Sequence, residues 1–300
     1  MPDKIKVLLD TDIGTDIDDA QCLAYLLCHP RCELLGITTV TGEAEKRAML
    51  ASALCRRAGK DVPIYPGAST PLLLPQRQPL AQQAEALGNW SHQTTFPRGE
   101  AVEFLRRTIR AHPGEVMLLT IAPLTNIGLL FSTDPEIPSL LRGLVMMCGR
   151  FLEPLPQGYG PVEWNAVGDA HSSAIVYRAP VKTHRSIGLD VTSRVSMTPD
   201  QFRTCFRDVP LFGPIMDWVE IWFRDWAGTT FHDPLAAATI FEPSLCRYQK
   251  GRVQVDLTEG ELFGLTRWSP GEPDAPHEIA VDVDPRRFFD HYRSIVQAYP

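Results

Sequence analysis

The sequence predicts a single α/β domain spanning residues 1–300, with a mostly parallel central sheet flanked by helices. Three observations predict it. Strand-like and helix-like segments alternate through the first two thirds of the chain. No linker-like tract separates two patterned halves. A crowd of acids follows the first strand-like run, at the end of a strand where parallel sheets bind their ligands.

The elements follow in order. Ile5–Leu9 is an apolar, β-branched run that reads as a buried strand. Gly14 permits a tight turn with positive φ. Asp18 and Asp19 sit where a helix begins, and Cys22, Leu23, Leu26 and Leu27 give Ala20–Leu27 its apolar face. Glu33–Val40 reads as a strand, Glu43–Ala58 as a helix and Val62–Tyr65 as a short strand. Thr70–Pro97 is irregular and proline-rich, and a loop of this length is read as a lid or an oligomer contact. Glu100–Ala111 is a helix with Val102, Leu105 and Ile109 on one face. Val116–Ile121, Leu144–Met147 and Val181–Ile187 read as strands, and Leu124–Phe131 and Ala170–Tyr177 as helices. At the end come strands at Val253–Leu257, Leu262–Thr266 and Ile279–Val283, then a helix at Pro285–Ala298.

Composition excludes several classes. A net charge of −7 argues against a nucleic-acid or anionic-membrane partner. No apolar run approaches a spanning helix, and Lys4 and Lys6 interrupt any signal-peptide core. Seven scattered cysteines fit reduced thiols in a cytoplasmic protein better than a disulfide framework or a zinc site.

The acids carry the chemistry. Asp10, Asp12, Asp16, Asp18 and Asp19 crowd one strand end. Two like charges about 4 Å apart repel by about 4 kcal/mol at an effective dielectric of 20. A hard cation such as Ca²⁺ or Mg²⁺ neutralises such a cluster, while helix capping accounts for one or two of its members. An EF-hand register from Asp10 fails, because its sixth and twelfth positions hold Thr15 and Gln21. A haloacid-dehalogenase-like phosphohydrolase competes on this stretch, with Asp10 as nucleophile, Asp12 as acid/base and Mg²⁺ as metal.

Asp10-Thr11-Asp12-Ile13-Gly14 followed by Asp18-Asp19-Ala20 also resembles the signature of the inosine-uridine-preferring nucleoside hydrolases, with a spacing two residues longer than the shortest family form. Further segments resemble the same family in the same order. They are Thr38–Gly42, Leu119–Asn126, Val145–Gly149, Glu163-Trp164-Asn165 and His232-Asp233-Pro234. Glu43 departs from the pattern, standing where the family usually has a sugar-binding Asn.

The resemblance implies a nucleoside-hydrolase-like, Rossmann-like core that cleaves a ribonucleoside to ribose and free base. It implies a Ca²⁺ site built from Asp12, Asp19, the Ile121 carbonyl and Asp233, with Asp10 in support. Asp12 is then the general base toward a water, and His232, near its ordinary pKa, the acid toward the leaving base. Asp18, Met147, Glu163 and Asn165 are the implied sugar-binding residues. Asn126 and Asp169 are read as structural, the latter as a helix cap. Trp218, Trp222 and Trp226 are spaced for one helical face, a packed core or subunit face, with a wall for a planar base as the alternative. A non-catalytic riboside-binding homologue is the second rival to the hydrolase. The expected partner is a small ribonucleoside, and the expected state is a homo-oligomer, dimer or tetramer.

Overall fold

Seven strands run parallel and adjacent in the order β3-β2-β1-β4-β5-β6-β11. They are β1 (Ile5–Thr11), β2 (Cys32–Thr39), β3 (Ile64–Pro66), β4 (Val116–Thr120), β5 (Gly143–Met146), β6 (His184–Ser186) and β11 (His277–Val283). Beyond β11, β9 (Cys246–Val255) and β10 (Thr266–Pro270) continue the sheet antiparallel, and β7 (Ser196–Met197) pairs with β8 (Thr229–Thr230) in a separate ribbon. The computed structural model describes residues 3–154, 157–271 and 274–299.

The strand sequence explains why both faces of the sheet are covered. Successive side chains of a strand point to opposite faces. Val7 and Leu9 join one apolar cluster, with the helix Asp18–Cys28, while Leu8 joins the other, with Leu105, Leu118 and Ile127. A strand buried on both faces reads as a continuous apolar run, as Ile5–Leu9 does. The result is a single α/β domain with helices on both faces.

Topology places the site. The chain steps outward from β1 to β2 and β3, then returns to lay β4 on the other side of β1. Strand order therefore reverses between β1 and β4, and the loops after these two strands diverge and leave a crevice at their carboxyl ends. The residues just past β1, β4 and β5 are Asp12, Ile121 and Met147.

Several predicted elements move. The Leu262–Thr266 strand is instead a turn, closed by Gly264 N donating to the Asp256 carbonyl (2.7 Å), and β10 begins only at Thr266. The Val181–Ile187 strand shortens to β6, and the Val253–Leu257 strand is the tail of the longer β9, whose polar and charged residues hid its start. The helix carrying Trp218 ends at Trp222, so the three tryptophans do not share a helical face. Thr70–Pro97 contains a 3-10 helix, Gln82–Asn89, that packs on the helices Ala44–Arg57 and Gly213–Trp222.

Candidate active site

β1 delivers two carboxylates with different surroundings. Asp10 lies within the sheet, opposite Thr38 and Thr120 on the flanking strands. Its Oδ1 accepts from Thr38 Oγ1 (2.5 Å) and Asn126 Nδ2 (2.8 Å), while Oδ2 is buried with no hydrogen-bond partner among the described residues. Burial pushes Asp10 up to about 7 despite those two donors. It is fully buried and outside the lining of the cavity, so it cannot serve as the nucleophile that the phosphohydrolase reading requires. Asn126 also donates to the Thr39 carbonyl (3.1 Å) and accepts from Ala68 N (2.9 Å), which ties three strand ends together. Gly67 has no Cβ because one would sit 2.3 Å from Asn126 Oδ1.

Past β1 the chain opens into a cavity of about 720 Å³. Asp12, Asp18, Asp19, Ile121, Met147, Glu163, Asn165, His232 and Asp233 all line it, so the fold gathers nine of the ten residues named from the sequence. Asp10 is the tenth. Carboxylate oxygens of Asp18, Asp19 and Asp233 lie within 4.8 Å of one another. Asp18 thus stands beside the candidate metal ligands Asp19 and Asp233, in the same cavity that Met147, Glu163 and Asn165 line. Asp12 adjoins this group through its backbone N–H, which donates to Asp19 Oδ1 (3.2 Å). Asp233 N donates to Asp18 Oδ2 (3.2 Å), fastening the start of the helix His232–Phe241 to the start of Asp18–Cys28.

Burial, then mutual repulsion, raises the carboxyls of Asp18, Asp19 and Asp233 well above the usual range. Asp12 is also raised by burial, with the Arg47 guanidinium pulling the other way. Asp16, the fifth acid of the stretch, lines the cavity too and is pushed up to about 6 by burial. Arg47 is fully buried, yet its fork is spent on the chain rather than on carboxylates. It donates to the carbonyls of Asp12, Ile13 (3.3 Å), Gly42 (2.7 Å) and Leu80 (3.1 Å) and to Thr15 Oγ1 (3.1 Å). Gly14 completes this loop at φ +123°, where a Cβ would lie 2.7 Å from Leu50 Cδ1.

The opposite wall comes from the stretch after β5 and from the helix His232–Phe241. Glu163 caps the short helix Trp164–Gly168, its oxygens accepting from Asn165 N (2.7 Å), Ala166 N (2.9 Å) and Gly149 N (2.9 Å). A carboxylate has about four acceptor positions, so one remains for a ligand hydroxyl. Asn165 Nδ2 donates to the Met147 carbonyl (3.0 Å). Asp169 caps Ala170–Arg178 through Ser172 N (3.1 Å). His232 shares hydrogen bonds with Thr192 Oγ1 (2.7 Å) and Tyr159 Oη (3.3 Å). Its expected ordinary pKa is not met, because burial pushes the imidazole down to about 4.

Trp218 is core, as the packed-core reading has it, while Trp222 and Trp226, read in the alternative as a wall for a planar base, stack with ring centroids 5.0 Å apart and line the cavity with Tyr159 and Trp164. Sequence reasoning missed other parts of the site. Glu43 points away, its Oε2 accepting from Ala81 N (2.9 Å) and its Oε1 paired with Lys46. Gln78, in the supposed lid, reaches the cavity and donates to Asp12 Oδ2 (2.7 Å). Neither Arg47 nor Gln78 stands in a motif. Buried arginines are rare, but only the tertiary fold shows which ones are buried.

The donor set fits a hard divalent cation. Three carboxylates converge, Ile121 lines the same space, and among the described residues no thiol or imidazole joins the carboxylate group. Fold and site together define an α/β domain with a cluster of buried carboxylates, consistent with a metal-binding site, at the topological switch point.

The comparisons make that class specific. The chain belongs to the inosine-uridine preferring nucleoside hydrolase family, whose model matches residues 7–290. It is thus a glycosidase-class enzyme, a nucleoside hydrolase. Among curated relatives, uridine nucleosidase 1 of Arabidopsis thaliana is 28% identical over 93% of this chain and 89% of its own. The pyrimidine-specific ribonucleoside hydrolase RihB of Escherichia coli is 26% identical over 99% and 98% of the two chains. A purine-preferring ribonucleoside hydrolase from Gardnerella vaginalis has the same fold, with TM-score 0.82, 24% identity and coverage of 98% of each chain.

Proposed function

We propose that this chain hydrolyses the N-glycosidic bond of ribonucleosides, releasing ribose and a free base, with Ca²⁺ as its cofactor. The observation that supports this reading best is the convergence of the buried Asp18, Asp19 and Asp233 in a cavity that the exposed Trp164 and Trp226 also line. Asp12, Asp19, Asp233 and the Ile121 carbonyl would hold the ion, with Asp18 beside them and Asp10 in support beneath. Bound there, a hard divalent cation supplies positive charge that grips vicinal hydroxyls and acidifies a water.

The residues do the rest. Asp12 accepts a proton from the attacking water, whose oxygen bonds to the anomeric carbon as the carbon–nitrogen bond breaks. The bonding pair leaves with the base nitrogen, which takes up a proton from solvent water, while Asp12 returns its proton to solvent, so that one water is consumed per bond broken. Positive charge develops on the sugar, and the ring of carboxylates around it stabilises that charge. Glu163, Asn165, Met147 and Asp18 hold the ribose. His232 faces the leaving base, mostly neutral at pH 7 given its lowered pKa. The stacked Trp222 and Trp226 offer a flat apolar wall to a planar ring. Seven free cysteines, six of them buried, support a reducing, cytoplasmic location, and among the described residues no helix is long and apolar enough to cross a membrane.

The test is reducing-sugar release from a panel of purine and pyrimidine ribonucleosides with 2′-deoxy controls, with and without a calcium chelator. Calcium-dependent release that is absent from the 2′-deoxy compounds is expected. Riboside binding without release from any member would turn the assignment to a non-catalytic binder.

A further inference from the structure

Gln78 belongs to a segment that, by sequence, looks like a mobile lid, yet it is among the most constrained residues at the site. Its side chain is nine-tenths buried. Nε2 donates to Asp12 Oδ2 (2.7 Å) and to Thr15 Oγ1 (3.1 Å). Oε1 accepts from Trp164 Nε1 (2.6 Å). The backbone is held as well. Gln78 N donates to Gln76 Oε1 (2.8 Å), and Gln76 is anchored by Thr41 Oγ1 (3.1 Å) and the Ser69 carbonyl (2.6 Å). Gly42 leaves room for this strand of chain, because a Cβ there would sit 2.5 Å from the Gln78 carbonyl oxygen.

The two ends of a primary amide are nearly the same shape, and only its partners decide which way round it lies. An indole N–H is a donor and nothing else. Trp164 therefore fixes the amide oxygen on its own side and leaves the NH₂ toward Asp12. Asp12 Oδ2 is thereby held by the amide, while Oδ1 accepts from no side chain among the described residues, and Asp12 lines the cavity.

We propose that Gln78 is a positioning residue for Asp12 and that Trp164 acts through it, so that the segment after β3 is a built part of the site. The proposal rests on the reading of Asp12 as the base. Its chemical content is a relay, indole to amide to carboxylate, that holds one carboxylate oxygen while the other works. A cavity-lining indole is thereby linked to the base without touching it.

Two substitutions separate the links. Gln78→Met keeps length and removes the amide. Trp164→Phe removes the N–H and keeps a ring, at a residue that is 49% exposed and so safe for folding. Outer partners of this kind change activity by about 10–100-fold. Each variant is expected to lose about that factor in kcat with little change in KM. The double variant should fall no further than the worse single variant, because both break one chain of contacts. Losses that multiply, or a Trp164→Phe enzyme with unchanged kcat, would overturn the relay. A readout independent of turnover is the Gln78 side-chain NH₂ pair in a ¹H–¹⁵N spectrum, assigned by its disappearance in Gln78→Met. It should shift in Trp164→Phe, and an unmoved pair refutes the proposal even if kcat falls. If the unmodified protein cleaves no nucleoside, the functional reading fails by itself, and the spectrum still decides whether the relay exists.

Discussion

Replacing Arg47 by Met tests how the acid loop is held. The guanidinium is fully buried and donates to four backbone carbonyls and one hydroxyl. It is also the cation whose charge pulls down both Asp12 and Asp19. Each acceptor left buried without a partner costs about 1–3 kcal/mol, and carbonyls that find water or a second donor escape the charge. If half of the five acceptors stay orphaned, the loss is about 2.5–7.5 kcal/mol, which brackets the roughly 3–5 kcal/mol measured when one partner of a buried ionic contact is removed. Domains are stable by about 5–15 kcal/mol, so this is a large share. Arg47→Lys keeps the charge but has a single ammonium where a planar fork reached Gly42, Asp12 and Leu80 at once, so it should fall between Met and the unmodified chain. Urea midpoints at constant m-value measure both. The metal sharpens the test. Were Arg47 only a counter-charge, Arg47→Met would bind Ca²⁺ more tightly at little cost in stability. Because it holds the Asp12–Thr15 turn, both stability and Ca²⁺ affinity should drop. A variant within about 1 kcal/mol of the parent, with tightened Ca²⁺ binding by calorimetry, would refute the reasoning.

Three further outcomes are expected. Ca²⁺ at 100 times its dissociation constant should stabilise the chelator-treated protein by about 2.7 kcal/mol, read as a rise of several degrees in a thermal melt. Identical curves with and without calcium would remove the hard-cation reading. Asp233→Asn should stabilise the metal-free protein by on the order of 1–2 kcal/mol, since one charge leaves a buried group that repels itself, and should abolish the calcium response. A destabilised metal-free variant would mean that the cluster is not strained by its own charge. Away from the site, His184 is fully buried with both ring nitrogens unpaired among the described residues, and burial, aided by His277, pushes it down to about 3. The unfolded chain takes up its proton near pH 6.5 while the folded chain does not until about pH 3. Stability is therefore complete above pH 6.5 and falls by about 1.4 kcal/mol per unit as the pH drops through that window. His184→Leu should flatten the slope of urea midpoint against pH between 6.5 and 5, and an unchanged slope counts against it.

The fold was legible where local pattern and tertiary role coincide. Ile5–Leu9 and Val116–Ile121 are buried on both faces, as is the second half of Glu33–Val40, so their apolar runs are written by the core itself. The reversal between β1 and β4 placed the acids at the crevice, and nine of the ten named residues line one cavity. Legibility failed where a residue serves a neighbour distant in sequence. β9 is rich in polar and charged residues, among them Arg247, Lys250 and Arg252, and resembles a surface loop until β10 and β11 flank it. Trp218, Trp222 and Trp226 keep helical spacing, but the helix stops at Trp222, and only then can Trp226 fold back onto Trp222. Glu43 stands in a motif position and yet its carboxylate belongs to the segment after β3.

That segment shows why motifs alone under-describe the site. The acids after β1 are read from sequence because a cation demands oxygen donors near one another. Their scaffold has no such demand on residue type, only on reach. Arg47 meets it from the helix Ala44–Arg57, Asn126 from the start of Thr125–Thr133, and Gln78 from a loop with no period at all. Each donates to one carboxylate or to the backbone beside it, and together they fix where Asp10 and Asp12 point. A cluster of buried acids repels itself unless its geometry is imposed from outside. Here the imposition comes from two neutral amides and one guanidinium whose hydrogen bonds go to backbone carbonyls and a hydroxyl, so a single buried positive charge faces several carboxylates and most of the negative field of the cavity is left for a cation.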